Sequence, residues 1–315
     1  MALSDYLQSP TIDAIERGVE EREGQRSYPI RISPSMLGEE CERKAWLSFH
    51  WAFDATPFDG KQLRRFESGR VDEARMVAWL RLAGVNVDDM DMATGRQHSV
   101  SAMDGHFYGA IDGKATGIIE APKTPHLVEC KAINAKAFAQ LKRHGVAVAL
   151  PKHMAQVQVY MHLLGLTRTF YLAKNKDSDE LHVERIHYDG DQAIRLMAKA
   201  ERIGADTAPA KANEDPGGWP CSMCDAASVC HGAAMANRNC RTCIHLSRVS
   251  RGDFFCNRHG VTVTTQSQRA GCPHHLYLPS LVDGEQVDAD EAAETITYQM
   301  NNGREWIDGR KEAHQ

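Results

Sequence analysis

His126-Leu127-Val128-Glu129-Cys130-Lys131 is the stretch on which the reading of this chain turns. A short apolar run ends in a carboxylate and an ammonium two positions apart. Side chains of a strand alternate between its faces, so Glu129 and Lys131 point one way and Cys130 the other. Alone, a Glu-x-Lys pair is usually a solvated ion pair of little consequence. Here it has company. Upstream, Gly109-Ala110-Ile111-Asp112-Gly113 sets a carboxylate on another strand-like run, Phe107 to Ile118. A hairpin between the two runs brings Asp112 beside Glu129 and Lys131.

Two helical segments add to this group. In Lys61 to Leu82, the residues Phe66, Glu73, Val77 and Leu80 share one helix face. Glu73 therefore sits in an apolar stripe, where an unpaired carboxylate is costly, so it pairs with a cation or helps to hold a metal. Glu67, Asp72 and Arg64, Arg65 and Arg70 read as solvated. In Lys152 to Gly165, Met154, Val157, Met161 and Leu164 form a narrow apolar seam. His153, Gln156 and Tyr160 line a neighbouring face and present three hydrogen-bonding groups in a row.

Hydrolysis of a phosphodiester needs these residue types. A hard divalent cation prefers oxygen ligands, activates a water and offsets charge developing on phosphorus. Asp112, Glu129 and the backbone carbonyl of Cys130 are candidate ligands. Lys131 is placed to stabilise charge or orient the water, and desolvation beside a cation is expected to lower its pKa enough for it to act as a base.

The order Gly69-x-x-x-Glu73, Gly109-x-x-Asp112-Gly113, Glu129-x-Lys131 and Gln156-x-x-x-Tyr160 resembles the RecB-like branch of the PD-(D/E)XK nucleases. That branch includes lambda-type exonucleases and CRISPR-associated RecB-like exonucleases. The resemblance covers about residues 30–235. It implies a restriction-endonuclease-like α/β core, a mixed β-sheet flanked by helices. It also implies Asp112 and Glu129 as Mg2+ or Mn2+ ligands, Lys131 as the catalytic lysine, and Gln156 and Tyr160 lining the site. Glu73 departs from the histidine of many RecB-like members and matches the carboxylate of lambda-type members; either group can ligate a metal.

Eight of the nine cysteines lie outside this constellation. Cys221-x2-Cys224-x5-Cys230 follows the Pro/Gly-rich stretch Asp215 to Pro220, and Cys41 lies far upstream. One thiol near the N-terminus and three after the core is similar to the iron–sulfur nucleases of the same branch, which implies a [4Fe–4S] cluster stapling the ends of the domain. A four-cysteine zinc site uses the same ligands, so spacing does not separate the two. Cys240-x2-Cys243-x12-Cys256-x15-Cys272 has the makings of a tetrahedral Zn2+ site, with His245, His259, His274 and His275 as alternative ligands. Roughly forty residues make too little core to stand without such a staple. Arg241, Arg248, Arg251, Arg258 and Arg269 with Phe254 and Phe255 suit either a DNA-contacting module or a metal-stapled protein contact.

The chain has 315 residues, enough for one sizeable domain and a small appendage, and 42% of them are hydrophobic. No apolar run approaches the roughly 18 residues of a membrane span, and no signal-peptide pattern opens the chain. Cysteines at metal spacing without such a signal point to a reducing cytoplasm, bacterial or that of a phage-infected host. A net charge of −5 is not that of a general nucleic-acid binder. Local basic groups, namely Lys61, Arg64, Arg65, Lys136, Lys142 and Arg143, can still contact phosphate.

Four regions are expected: an N-terminal arm (1–30, a short helix and a loose segment), the nuclease domain with its cluster (31–235), a zinc module (236–280) and a polar, acidic tail (281–315), loosely helical or disordered. The functional expectation is a metal-dependent DNA exonuclease. By resemblance it acts on free ends of single- or double-stranded DNA, 5′ to 3′, in recombination, repair, phage replication or CRISPR adaptation. A recombination, annealing or CRISPR integrase protein is the matching partner, and no membrane is involved. The alternatives are a non-catalytic DNA-end-binding adaptor, which has no use for intact Asp112, Glu129 and Lys131, and a redox protein built on Cys41, Cys221, Cys224 and Cys230.

Overall fold

The computed structural model describes residues 9–23 and 29–309. The chain divides into two units, one of Met1–Ser27, Thr56–Val100 and Ala110–Gly190, the other of Tyr28–Ala55, Ser101–Gly109 and Asp191–Gln315. Among the described residues no helix is long and apolar enough to cross a membrane.

The first unit is built on a five-stranded mixed sheet of β1 (Asn86–Asp88), β2 (Gly113–Thr116), β3 (His126–Ile133), β4 (Arg168–Asn175) and β5 (Leu181–His187), in that spatial order. All neighbours are antiparallel except β3 and β4, which run parallel. A parallel pair needs a long crossover. Two helices supply it here: α3 (Ala135–Ala149) and α4 (Pro151–Leu164). Asn134 caps α3 by accepting the Ala137 N–H, Pro151 opens α4, and Gly165 in the left-handed region closes it. Ahead of the sheet come α1 (Pro10–Glu23) and α2 (Gly60–Leu82). Asp59 and Gln62 form a capping box at the start of α2. Met76, Val77 and Leu80 of α2 pack on Val87, Ala115, Val128, Cys130, Phe170 and Leu172, which makes one apolar core on one face of the sheet.

Several expectations change. The run Phe107 to Ile118 is two strands: Phe107–Ala110 belongs to a hairpin with Ser99–Ala102, and only β2 enters the main sheet. Gly113 makes the break, with φ +154 and Val87 Cγ1 3.0 Å from where a Cβ would lie. Phe66 of α2 is exposed rather than in the stripe and stacks edge-on with Phe58. Asp72, read as solvated, is buried and paired with Lys174 at 3.4 Å and Arg75 at 3.6 Å. Part of the loose arm, residues 24–28, lies outside the described residues.

The second unit contains helices Pro34–Leu37, Glu42–Phe49 and Gly190–Gly204 and two three-stranded antiparallel sheets. One sheet is Leu246–Arg248, Phe254–Cys256 and Val261–Thr262, within the expected zinc module. The other is Gly284–Asp290, Thr295–Met300 and Glu305–Asp308. This overturns the expected loose or helical tail. Thr295-Ile296-Thr297-Tyr298 alternates, and Ile296 and Tyr298 face a core with Trp46, Leu276 and Tyr277. Of the acidic stretch, Glu285, Asp288 and Asp290 are on the exposed strand Gly284–Asp290.

Candidate active site

The ladder between β2 and β3 ends at the pair Gly113–Val128. The next outward-facing amide on that edge, Cys130 N–H, donates instead to Asp112 Oδ2 at 2.8 Å. Asp112 thus replaces a strand residue and brings its carboxylate to the edge of β3. Cys130 is buried with the apolar core, and Glu129 and Lys131 occupy the opposite side of the strand.

Lys131 Nζ is the hub. It contacts Glu129 Oε1 at 2.6 Å, Glu73 Oε1 at 3.6 Å and Asp112 Oδ2 at 3.7 Å, and donates to the Cys130 carbonyl at 3.1 Å. Glu73 comes from α2, Asp112 from the turn before β2, and Glu129 from β3, so three separate segments converge on one cation. From α4, Gln156 Nε2 donates to Glu129 at 3.0 Å, and the Tyr160 hydroxyl donates to the Ala110 carbonyl at 2.6 Å. All six candidate side chains are therefore gathered in one place. Tyr171 of β4 and His153 of α4 border them, joined by a 2.7 Å hydrogen bond. Sequence reasoning missed Tyr171. Its position depends on the parallel register that sets it opposite Glu129, and no local pattern encodes that register.

The electrostatics follow from burial. Glu129 is 1% exposed. Desolvation pushes its carboxyl up to about 7, partly opposed by Lys131 and reinforced by Asp112. Glu73 is raised for the same reasons in the same order. For Lys131, burial favours the neutral amine, but Glu129, Asp112 and Glu73 outweigh it and hold the ammonium well above its ordinary range. In the protein alone the direction is the reverse of the lowering expected beside a cation. Three carboxylates keep Lys131 charged, which suits it to stabilise negative charge. Burial also holds His153 down at about 4, with Lys131 adding to the effect.

The donor set around Lys131 consists of three carboxylates and a carbonyl, all oxygen, directed at a single positive charge. That is the chemistry a hard divalent cation requires. Among the described residues, no three His, Cys, Asp or Glu side chains form a ready metal-holding group; here Lys131 stands between the carboxylates.

Both cysteine sets lie in the second unit. Cys41 is close enough to Cys224 and Cys230 to raise both thiols, although burial is the larger cause for each. The Cys221 thiol points at the Asn213 carbonyl at 3.8 Å. Cys240, Cys243, Cys256 and Cys272 line one cavity of 180 Å3 with His245 and His259. Burial, then the three neighbouring thiols, push Cys240 up to about 11. His259 Nε2 is 3.8 Å from the Cys272 sulfur, and His275 bonds Thr242 Oγ1 at 2.9 Å.

The arginines expected to face DNA divide differently. Arg241 is 3% exposed, donates to the carbonyls of Pro29, Ile30 and Phe49 and to Gln268, and sits 4.0 Å from the Trp51 ring centroid. Arg258 is held by a bidentate pair with Glu294, and Phe254 is buried. Of the five, Arg248, Arg251 and Arg269 are exposed at the surface. In the first unit, Arg64 and Lys142 are paired with Glu16 and Glu180.

No family model matches the chain, and no curated protein matches it. Among solved structures it is similar to an alkaline exonuclease, LHK-Exo, from Laribacter hongkongensis, also solved in complex with dAMP. The identity is 14% and the TM-score 0.37, over 56% of this chain and 87% of that one. It is likewise similar to SSO0001 (13% identity, TM-score 0.36), over 71% of this chain and 96% of the other.

Proposed function

We propose that the chain is a divalent-metal-dependent DNA exonuclease of the RecB-like kind. The observation that carries this reading is the convergence of Glu73, Asp112, Glu129 and the Cys130 carbonyl on the single charge of Lys131. Bound Mg2+ or Mn2+ would supply Lewis-acid charge and acidify a water. Glu73, Asp112, Glu129 and the Cys130 carbonyl would hold it. Lys131 would stabilise charge on the non-bridging oxygens of the phosphate. Gln156 holds Glu129 in orientation, and Tyr160 ties α4 to the Ala110 carbonyl.

The finer parts of the reading are a 5′-to-3′ direction on free DNA ends, a place in recombination, repair, phage replication or CRISPR adaptation, and a reducing cytoplasm. Cys41, Cys221, Cys224 and Cys230 are assigned to a [4Fe–4S] cluster, supported by the nearness of Cys41 to Cys224 and Cys230. Cys240, Cys243, Cys256 and Cys272 are assigned to Zn2+, supported by the cavity they share. The test is to incubate anaerobically purified protein with end-labelled single- and double-stranded DNA and Mn2+ or Mg2+, beside Lys131→Ala. Metal-dependent loss of label, abolished in the variant, is expected. A fully metallated protein that leaves both DNAs intact would remove the enzyme reading.

A further inference from the structure

Resting on the nuclease reading above, we propose that His153 is a further group of this site: its Nε2–H donates to a non-bridging oxygen of the scissile phosphate, and Tyr171 fixes the proton that makes this possible. His153 lies one helical turn before Gln156, about 4.5 Å along the axis, on the face that meets Glu129. Tyr171 is the residue of β4 in register with Glu129, and it is fully buried.

The direction of the 2.7 Å bond between Tyr171 and His153 Nδ1 follows from what else the hydroxyl can reach. It has no other hydrogen-bond partner among the described residues. Were Nδ1 the donor, the phenolic proton would be buried without an acceptor, which is costly. Tyr171 therefore donates, Nδ1 accepts, and the ring proton is on Nε2. Among the described residues that nitrogen has no partner, and it is not one of the sealed polar atoms of the core, so it is open to a ligand. The imidazole is kept uncharged by burial and by Lys131. An uncharged donor suits this place. It strengthens its bond as charge grows on phosphate oxygens, without setting a second cation against Lys131 or competing for the carboxylates.

The test uses full-length protein, end-labelled DNA and saturating Mn2+ under single-turnover conditions, with His153→Leu, His153→Gln and Tyr171→Phe. For His153→Leu the cleavage rate is expected to fall on the order of 100-fold, with DNA affinity within about threefold of wild type. His153→Gln, which keeps an N–H near the same point, should recover about tenfold of that loss, and Tyr171→Phe should fall about tenfold. Phosphorothioate at the scissile bond separates contact from packing. The rate penalty for sulfur at one of the two diastereotopic oxygens should collapse in His153→Leu and persist in Tyr160→Phe. A His153→Leu rate within about threefold of wild type, or an unchanged thio penalty, overturns the assignment while leaving the nuclease reading intact. Wild-type protein inert with both metals removes the nuclease reading and this inference with it.

Discussion

Lys131→Met isolates the electrostatic logic of the site. The substitution keeps much of the side-chain volume but removes the only charge that Glu129, Asp112 and Glu73 share. Breaking a buried ion pair by removing one partner costs about 3–5 kcal/mol. Only Glu129 is fully buried, and the Glu73 side chain is 32% exposed, so the loss should fall to the bottom of that range or just below it, about 2–3 kcal/mol. The pH dependence carries a definite sign. The folded-state pKa of Glu129 is raised to about 7, so the folded protein binds a proton that the unfolded chain releases near 4.5. Its charged form therefore destabilises the fold increasingly as pH rises from about 4.5 to 7, and more so without Lys131. The gap between wild type and Lys131→Met should be widest near pH 8 and close towards pH 5. Mn2+ should stabilise the variant more than wild type, because the metal no longer displaces an ammonium; at 100 times its Kd the gain is about 2.7 kcal/mol. Urea unfolding of both proteins at pH 5 and 8, with and without Mn2+, reads all of this. A variant within 0.5 kcal/mol of wild type at pH 8 (the ordinary surface range), or a gap that widens towards acid, would refute the reasoning.

Asp112→Asn keeps an acceptor for Cys130 N–H and should cost less than about 1 kcal/mol in urea, while Asp112→Ala strands that amide and costs about 1–3 kcal/mol; both should abolish metal-dependent cleavage. If the proposed metal assignments hold, elemental analysis should find zinc lost on Cys240→Ser or Cys243→Ser with iron retained, whereas Cys224→Ser should bleach an iron chromophore and spare the zinc. Arg241→Met leaves three backbone carbonyls without their donor and should destabilise the second unit by more than about 3 kcal/mol. Lysine should not rescue it, since one ammonium does not reproduce a planar fork, and Arg251→Ala should be silent in the same thermal scan. On the acid side, His50, held down to about 3, and His275, held down to about 4, both by burial, stay neutral while the unfolded chain takes up protons below about 6.5. Unit-two stability should therefore fall as pH drops from 6.5 to 4, and the slope should flatten in His275→Gln, followed by near-ultraviolet circular dichroism.

The candidate site was legible because its chemistry is written in period-two and helical patterns that survive without tertiary information. Glu129 and Lys131 share a strand face, Glu73 interrupts an apolar helix stripe, and Gln156 and Tyr160 recur on one side of α4. Long-range terms hid the rest. Asp72 looks like Glu67 or any other carboxylate on a charged helix, and only the approach of Lys174 from β4 distinguishes it. The tail from residue 284 is too acidic on one strand to advertise a sheet, yet the alternation at Ile296 and Tyr298 was present and was outweighed by composition. Arg241 was misjudged because sequence does not separate an arginine that binds phosphate from one that satisfies carbonyls between aromatic rings.

The same distinction explains why the charge on Lys131 could not be inferred locally. Desolvation alone predicts a depressed lysine, and a lysine beside a bound cation would indeed be depressed. What decides the sign is how many carboxylates share its pocket, and two of the three come from segments 19 and 58 residues away, at Asp112 and Glu73. On the proposed reading, a lysine held by three acids is a source of positive charge whose availability depends on what else neutralises those acids. Divalent metal and substrate phosphate would then be coupled through Lys131: carboxylates that held a metal would no longer hold the ammonium, which would be free for the phosphate. That coupling predicts that Mn2+ raises DNA affinity in wild type several-fold more than in Lys131→Met, measured by fluorescence anisotropy on a DNA end whose scissile linkage is a non-hydrolysable phosphonate. Equal enhancement in the two proteins would show that Lys131 reaches the phosphate independently of the carboxylates.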